Sequence, residues 1–185
     1  MKKVATIQNG KNFSAVNVGK LSEIKDYVLQ LSPEVAIPGK VFVGQDLGTT
    51  GCEHSFQSLV PGQDSGFLHT HKTHEELYFI LKGEGQYQVD GNIFPVSEGS
   101  IVRVSPAGKR ALKNTGKDEM LMLCVQYKAN SFTKSDDINE DGTITTKTNT
   151  GDMVTCNLNS ISLGRITDEE LEENIALQIR MLDNV

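Results

Sequence analysis

The sequence predicts an all-β domain, an antiparallel sandwich or barrel with one helix at each end, and three observations carry that expectation. From Val41 to Tyr127 the chain breaks into short apolar or alternating runs separated by glycine-bearing turns, the pattern of packed short strands rather than of a parallel sheet with crossover helices. Asp90-Gly91 sits between two such runs and is a hairpin signal. Outside this stretch the periodicity changes to helical spacing, once before it and once after it.

Taken in order, residues 1–19 carry short apolar alternation at Phe13, Ala15 and Val16 and fit an edge strand. Leu21, Ile24, Val28 and Leu31 recur at helical spacing, so a helix is expected over 21–31, stopped by Pro33. Strands follow over 41–59, over the run Glu75–Leu81, over Gly85–Val89 and Ile93–Val96, over 100–104 and over Met120–Tyr127. Residues 128–160 are rich in Ser, Thr, Asn, Asp and Gly and read as loops with room for one further hairpin. The tail from Thr167 to Leu182 reads as a helix: Thr167 and Glu170 form a capping box, and Leu171, Ile175, Ile179 and Leu182 make an apolar stripe. The expected organisation is a single domain over 1–185, with a barrel at 41–127, a strand and helix extension at 1–40 and loops plus a helix at 128–185.

A chain of 185 residues suits one domain with a real core. Its net charge of -6 argues against a nucleic-acid partner, which selects basic surfaces. The first residues contain two lysines with no apolar run behind them, and no stretch has the length of a membrane span, so a cytoplasmic protein with no membrane partner is expected. The three cysteines, Cys52, Cys124 and Cys156, are too widely separated for a zinc pair and read as free thiols of a reducing compartment.

The stretch with the most chemistry runs from Pro61 to Gly83. His69 and His71 alternate on an extended segment, so their imidazoles share a face. Glu76 follows at the head of an apolar strand. Two imidazoles and a carboxylate form the set that suits a divalent transition metal, with a 2-His-1-carboxylate site as the sharpest form. Strand parity separates Glu76, which shares a face with Tyr78 and Ile80, from Glu75, which shares one with Leu77, Phe79 and Leu81. A face bearing a tyrosine suits a pocket, so Glu76 is the expected ligand. His74 falls at a turn.

The spacing of His69, His71, Glu76 and Gly83 resembles the first motif of the cupin superfamily, small barrels of jelly-roll (double-stranded β-helix) type that hold a metal inside when they hold one. The segment 99–114 resembles the second motif through Gly99, Pro106, Gly108 and Asn114, with Ala111 at the position where the family's usual fourth ligand, a histidine, would stand. The resemblance covers 41–127. It implies one divalent ion, Fe, Mn, Zn or Ni, on His69, His71 and Glu76, and a small-molecule pocket in which Gln57, Tyr78 and Ala111 take part. Gln57 is a candidate replacement donor; His54, on the same strand, faces the other way.

The functions that follow are a metal-dependent enzyme of dioxygenase, isomerase or hydrolase type, a non-catalytic small-ligand binder with a weak or vestigial metal site, or a structural protein with a relic site. No general base or nucleophile beyond the triad is named by the sequence. Arg103, Lys109, Arg110 and Lys113 make a basic segment that reads as a solvated rim, with an anion site as the sharper reading. Asp137, Asn139, Asp141 and Gly142 imitate the start of a calcium loop, but Thr148 stands where the closing glutamate belongs, and a hairpin turn explains them. The apolar outer face of the Glu76 strand, with the C-terminal stripe, predicts a homodimer.

Overall fold

The computed structural model describes residues 2–136 together with strand residues 143–144 and 161–162. The chain divides into two compact units, Met1–Ala129 and Asn130–Val185. The first contains four antiparallel sheets, two of them two-stranded hairpins and two larger. One is five-stranded, in the order β10 (Ile101–Val104), β7 (His74–Lys82), β12 (Met120–Lys128), β6 (Cys52–Leu59) and β5 (Lys40–Phe42). The other is three-stranded, in the order β11 (Arg110–Asn114), β8 (Glu84–Val89) and β9 (Asn92–Ser97). This is the all-β architecture that the turn spacing predicts.

Two turns show how the sequence enforces it. Asp90 and Gly91 both have positive φ, 51° and 84°, the left-handed pair that a tight hairpin between β8 and β9 requires. Gly83 joins β7 to β8 at φ 82°, and a Cβ there would lie 2.8 Å from the Glu119 carbonyl oxygen and 2.9 Å from Met120 Cα. Only glycine lets those backbones approach.

The main core lies between the sheets, where Leu59, Tyr78, Ile80, Tyr87, Val104, Leu112 and Met120 are buried. Each fully buried apolar side chain of this kind contributes about 1.5–3 kcal/mol. Asn114 is fully buried and acts as a clasp. Its Nδ2 donates to the carbonyls of Leu59 and Asp118, each at 2.8 Å, and its Oδ1 accepts from Gly116 N–H at 2.9 Å.

The helix expected over 21–31 is corrected. Leu21–Asp26 forms a short 3₁₀ helix, and the chain then enters an antiparallel hairpin of β3 (Val28–Ser32) and β4 (Val35–Pro38). The run Val-Leu-Gln-Leu alternates as well as it spirals. Ser32 Oγ accepts from the N–H groups of Glu34 and Val35, at 3.3 and 3.1 Å, and so holds the turn around Pro33. What the apolar spacing does mark is a second small core. Ile24 and Tyr27 pack with Val41, Val43 and Leu121 on the far side of the five-stranded sheet. A further hairpin, β1 (Ala5–Asn9) with β2 (Ser14–Asn17), takes the place of the single edge strand.

In the second unit, β13 (Thr143–Ile144) pairs with β14 (Ile161–Ser162). The expected C-terminal helix and the calcium-loop residues Asp137–Gly142 and Thr148 lie outside the described residues. Among the described residues no helix is long and apolar enough to cross a membrane.

Candidate metal centre and ligand pocket

The two-residue period of β7 turns Glu76, Tyr78 and Ile80 inward, and Glu76 is 1% exposed. In register beside them on β12 lie Gln126, Cys124 and Met122, and beyond these on β6 lie Ser55 and Gln57. His69 and His71 come from the segment before β7, which is not a regular strand. His69 is held by an isolated bridge to Arg110, with N–H···O contacts of 3.3 and 3.1 Å, and His71 N–H donates to the Pro106 carbonyl at 2.8 Å. The two imidazoles nonetheless meet edge to face, 5.3 Å apart.

Ligand atoms of His69, His71 and Glu76 lie within 4.8 Å of one another. His69 Nε2 is 3.5 Å from Glu76 Oε2, and His71 Nε2 is 3.2 Å from Oε1. That second contact is close enough for charge but not aligned for a hydrogen bond, and His71 Nε2 is buried with no hydrogen-bond partner. Around the carboxylate, Tyr78 O–H donates to Oε2 at 2.6 Å, Arg110 Nε to Oε2 at 2.8 Å and Gln126 Nε2 to Oε1 at 2.8 Å. Burial alone would raise the pKa of Glu76. The contact with His69, the hydrogen bond of Tyr78 and the charges of Arg110 and His71 outweigh it and hold the group well below the usual carboxylate range. Burial keeps His71 below the usual imidazole range, against the pull of Glu76. It also pushes the Tyr78 phenol far above its ordinary range and the Cys124 thiol up to about 12, so both stay protonated at neutral pH.

Next to this cluster is a cavity of about 170 Å³, walled by Glu76, Tyr78, His69, Gln57, Ala111 and Lys40 among others. Apolar side chains of the β3–β4 hairpin, Leu29, Leu31 and Ile37, form another part of the wall.

The family model described as Cupin domain matches residues 55–126. A solved cupin protein from Bacteroides fragilis is 32% identical over a match covering 64% of this chain and 97% of that one, with a TM-score of 0.55. This chain belongs to the cupin superfamily. An uncharacterized protein of Methanocaldococcus jannaschii is 32% identical over 71 residues, and the oxalate-binding protein of Thermotoga maritima is 33% identical over 67. Those matches cover 57% and 54% of the two relatives, so this cupin spans little more than half the length of either.

Within the cupin frame one expected position changes hands. Ala111 is half-buried in the cavity wall, but the side chain that β11 turns toward Glu76 is that of Arg110. Counting forward from Gly108 points to Ala111; counting back along the strand from the buried Asn114, two residues at a time, reaches Leu112 and then Arg110. The packed strand follows the second count, with Arg110, Leu112 and Asn114 all buried and Lys113 exposed. An arginine therefore takes the inward position beside Glu76 on this strand. Its guanidinium, 0% exposed, also donates from Nη1 to the carbonyls of Gly108 at 2.8 Å and Pro106 at 3.3 Å, with His69 at 3.5 Å. The same group thus fixes the carboxylate and the loops that carry both histidines.

The basic segment splits accordingly. Lys109 and Lys113 are exposed, as a rim requires, whereas Arg110 is interior. Gln57 is 5% exposed and faces inward, but it does not hydrogen-bond to Glu76; Gln126 takes that role. Gln126 lies across from Glu76 in the β7–β12 register. The sequence signal for it was parity alone, which cannot act until the strand pairing is known. His54 faces outward beside Cys52, with Nε2 3.4 Å from the sulfur. His74 begins β7 and is exposed.

The residues present fit a divalent ion on three protein ligands. Two imidazoles and a carboxylate are a suitable donor set, and an unpartnered imidazole nitrogen facing a carboxylate oxygen is an arrangement that a bridging cation satisfies. The guanidinium cannot ligate and adds a fixed positive charge nearby, which lowers affinity for any cation.

Proposed function

We propose that this cupin holds one divalent transition metal ion, Fe, Mn, Zn or Ni, on His69, His71 and Glu76 and binds a small-molecule ligand in the adjoining cavity. The observation that carries the reading is the convergence of the three donors on a cavity wall, with His71 Nε2 buried and unpartnered. Such an ion, when bound, supplies polarisation of a ligand oxygen, the basis of a metal-dependent enzyme. The chain's own residues prepare the place. Tyr78 and Gln126 hold both Glu76 oxygens, Arg110 locks the histidine loops, and the core residues exclude water. The relative named for oxalate binding supports a small molecule as the ligand class.

Elemental analysis of protein purified without chelator tests the metal. Close to one transition ion per chain is expected, and a His69→Ala/His71→Ala double variant should lose it. Equal content in both proteins ends this reading. Arg110 favours a second one, a non-catalytic binder whose metal site is weak, because a fixed cation lies 2.8 Å from Oε2. Protein that takes up ligand yet retains far less than one metal ion per chain would select it.

Two wider features belong to the proposal. The outer face of β7 presents Leu77, Phe79 and Leu81, with Ile101, 61% exposed, in register beside Phe79, which supports a homodimer through this face. The free thiols of Cys52 and Cys124 support a cytoplasmic location.

A further inference from the structure

The cavity contains a cation that the metal reading does not use. Lys40 opens β5 and pairs in register with Gln57 of β6, and Phe42 likewise pairs with Ser55. Both strands turn these residues inward, and Lys40 and Gln57 lie in the wall of the cavity. Among the described residues neither the Lys40 ammonium nor the Gln57 amide has a hydrogen-bond or ion-pair partner in the protein. The Phe42 ring lies 5.3 Å from Nζ. Gln57 is 5% exposed.

Gln57 is buried and Lys40 half-buried, and polar groups so withdrawn from water are ordinarily bonded or paired. The carboxylate nearest at hand is already engaged: Glu76 accepts from Tyr78, Arg110 and Gln126. The charges fixed on protein groups around the cavity are those of Glu76, Arg110 and Lys40, which leaves one positive charge uncompensated. Desolvation pulls the Lys40 pKa down, with Cys124 and Glu76 opposing it, and a bound anion would restore it. Elsewhere the wall is apolar, through Leu29, Leu31 and Ile37 from the hairpin and through Phe67, Leu112 and Met122. A second carboxylate would meet those side chains. The volume, about 170 Å³, is close to that of a cavity of about 150 Å³ that accepts benzene.

We propose that the ligand is a compact monocarboxylate with an apolar body, its carboxylate held by the Lys40 ammonium and the Gln57 amide and its body against the β3–β4 hairpin. The inference rests on the reading of this cavity as the ligand pocket and not on the metal.

Calorimetric titration of the full-length protein, before and after treatment with chelator, separates the two. Benzoate and pentanoate are the probes, benzamide and pentanamide their neutral counterparts, and oxalate the small dianion. Each carboxylate should bind at least tenfold tighter than its amide, with or without chelator. Lys40→Met should remove that preference while retaining amide binding and cooperative melting, and Lys40→Arg should restore it. Failure of both carboxylates to bind at millimolar concentration overturns the proposal, as does Lys40→Met protein that keeps the preference. A preference that vanishes with chelator and survives in Lys40→Met would place the anion on the metal, overturning this inference while supporting the metal site. Oxalate binding tighter than benzoate would remove the apolar body.

Discussion

Glu75 and Glu76 stand side by side on β7, and each holds an arginine from another strand. Glu75 faces outward, where Arg103 of β10 grips it through Nε at 3.1 Å and through Nη2, and Tyr127 adds a hydrogen bond at 2.8 Å. The Arg103 side chain is 56% exposed. Glu76 faces inward, and the side chain of its partner Arg110 is 0% exposed. Both carboxylates are held below their usual pKa, Glu75 chiefly by its hydrogen bond from Arg103, Glu76 by several donors working against its burial. The residue types are the same and the consequences differ. Water reaches the Arg103 side of the outer pair, although Glu75 itself is 8% exposed, so less depends on it; removing half of the inner pair strands a charge where nothing can solvate it.

The largest expected effect follows directly. Arg110→Ala should destabilise the protein by about 3–5 kcal/mol in denaturant unfolding, whereas Arg103→Ala should change it by about 0–1 kcal/mol. Similar losses from both would mean that the inner pair is not isolated from solvent.

A second variant asks what Arg110 withholds. Arg110→His places an imidazole where the guanidinium now points at Glu76, and should bind iron, manganese or zinc at least tenfold more tightly, about 1.4 kcal/mol. Ala111→His should not, because β11 does not turn that side chain toward Glu76. The reverse ranking would restore Ala111 as the ligand position.

The outer face has its own test. Phe79→Lys should lower the mass in light scattering from twice 20.3 kDa to 20.3 kDa and leave metal content unchanged. A wild-type mass of 20.3 kDa at micromolar concentration would show that this face needs no second copy.

The smallest effect concerns Lys40. Burial lowers its pKa in the folded chain, so between the folded and unfolded values the unfolded chain binds the extra proton and stability rises with pH. The penalty of the desolvated charge is therefore complete below the folded value, fades as pH climbs toward about 10.4, the ordinary lysine value, and is absent above it. Lys40→Met should melt above wild type near pH 7, by about 2–4 °C for each kcal/mol regained, and the gap should close toward pH 10. A gap independent of pH would assign the change to packing.

The same contrast explains what was legible beforehand. Alternation along Glu75–Leu81 is strict, so one strand declares its inner and outer faces without any knowledge of its neighbours. The segment before β11 offers two anchors that disagree by one residue, Gly108 and Asn114, and only the buried amide of Asn114 decides which governs the strand. In a period-two element that single step exchanges the interior for the surface, which is why Arg110 read as part of a rim. The hairpin at 28–38 stayed hidden for a different reason. Leu21, Ile24, Val28 and Leu31 do share one spacing, but Ile24 and Val28 belong to different elements, and packing against Val41 and Leu121 overrides local preference. Lys40 gave no signal at all, since a lysine at a strand end is ordinarily solvated.

The β3–β4 hairpin and Lys40 both precede residue 55, where the match to the Cupin domain begins. The stretch matched by the family model carries the histidines, Glu76 and Arg110, while part of the cavity wall is built from residues that precede it. The donor set and part of the cavity wall therefore come from separate stretches of the sequence. Chimeras that exchange residues 28–40 between cupins would move the recognition of the ligand's far end and leave the donor set in place, making the pocket a modular one in which the two halves can evolve at different speeds.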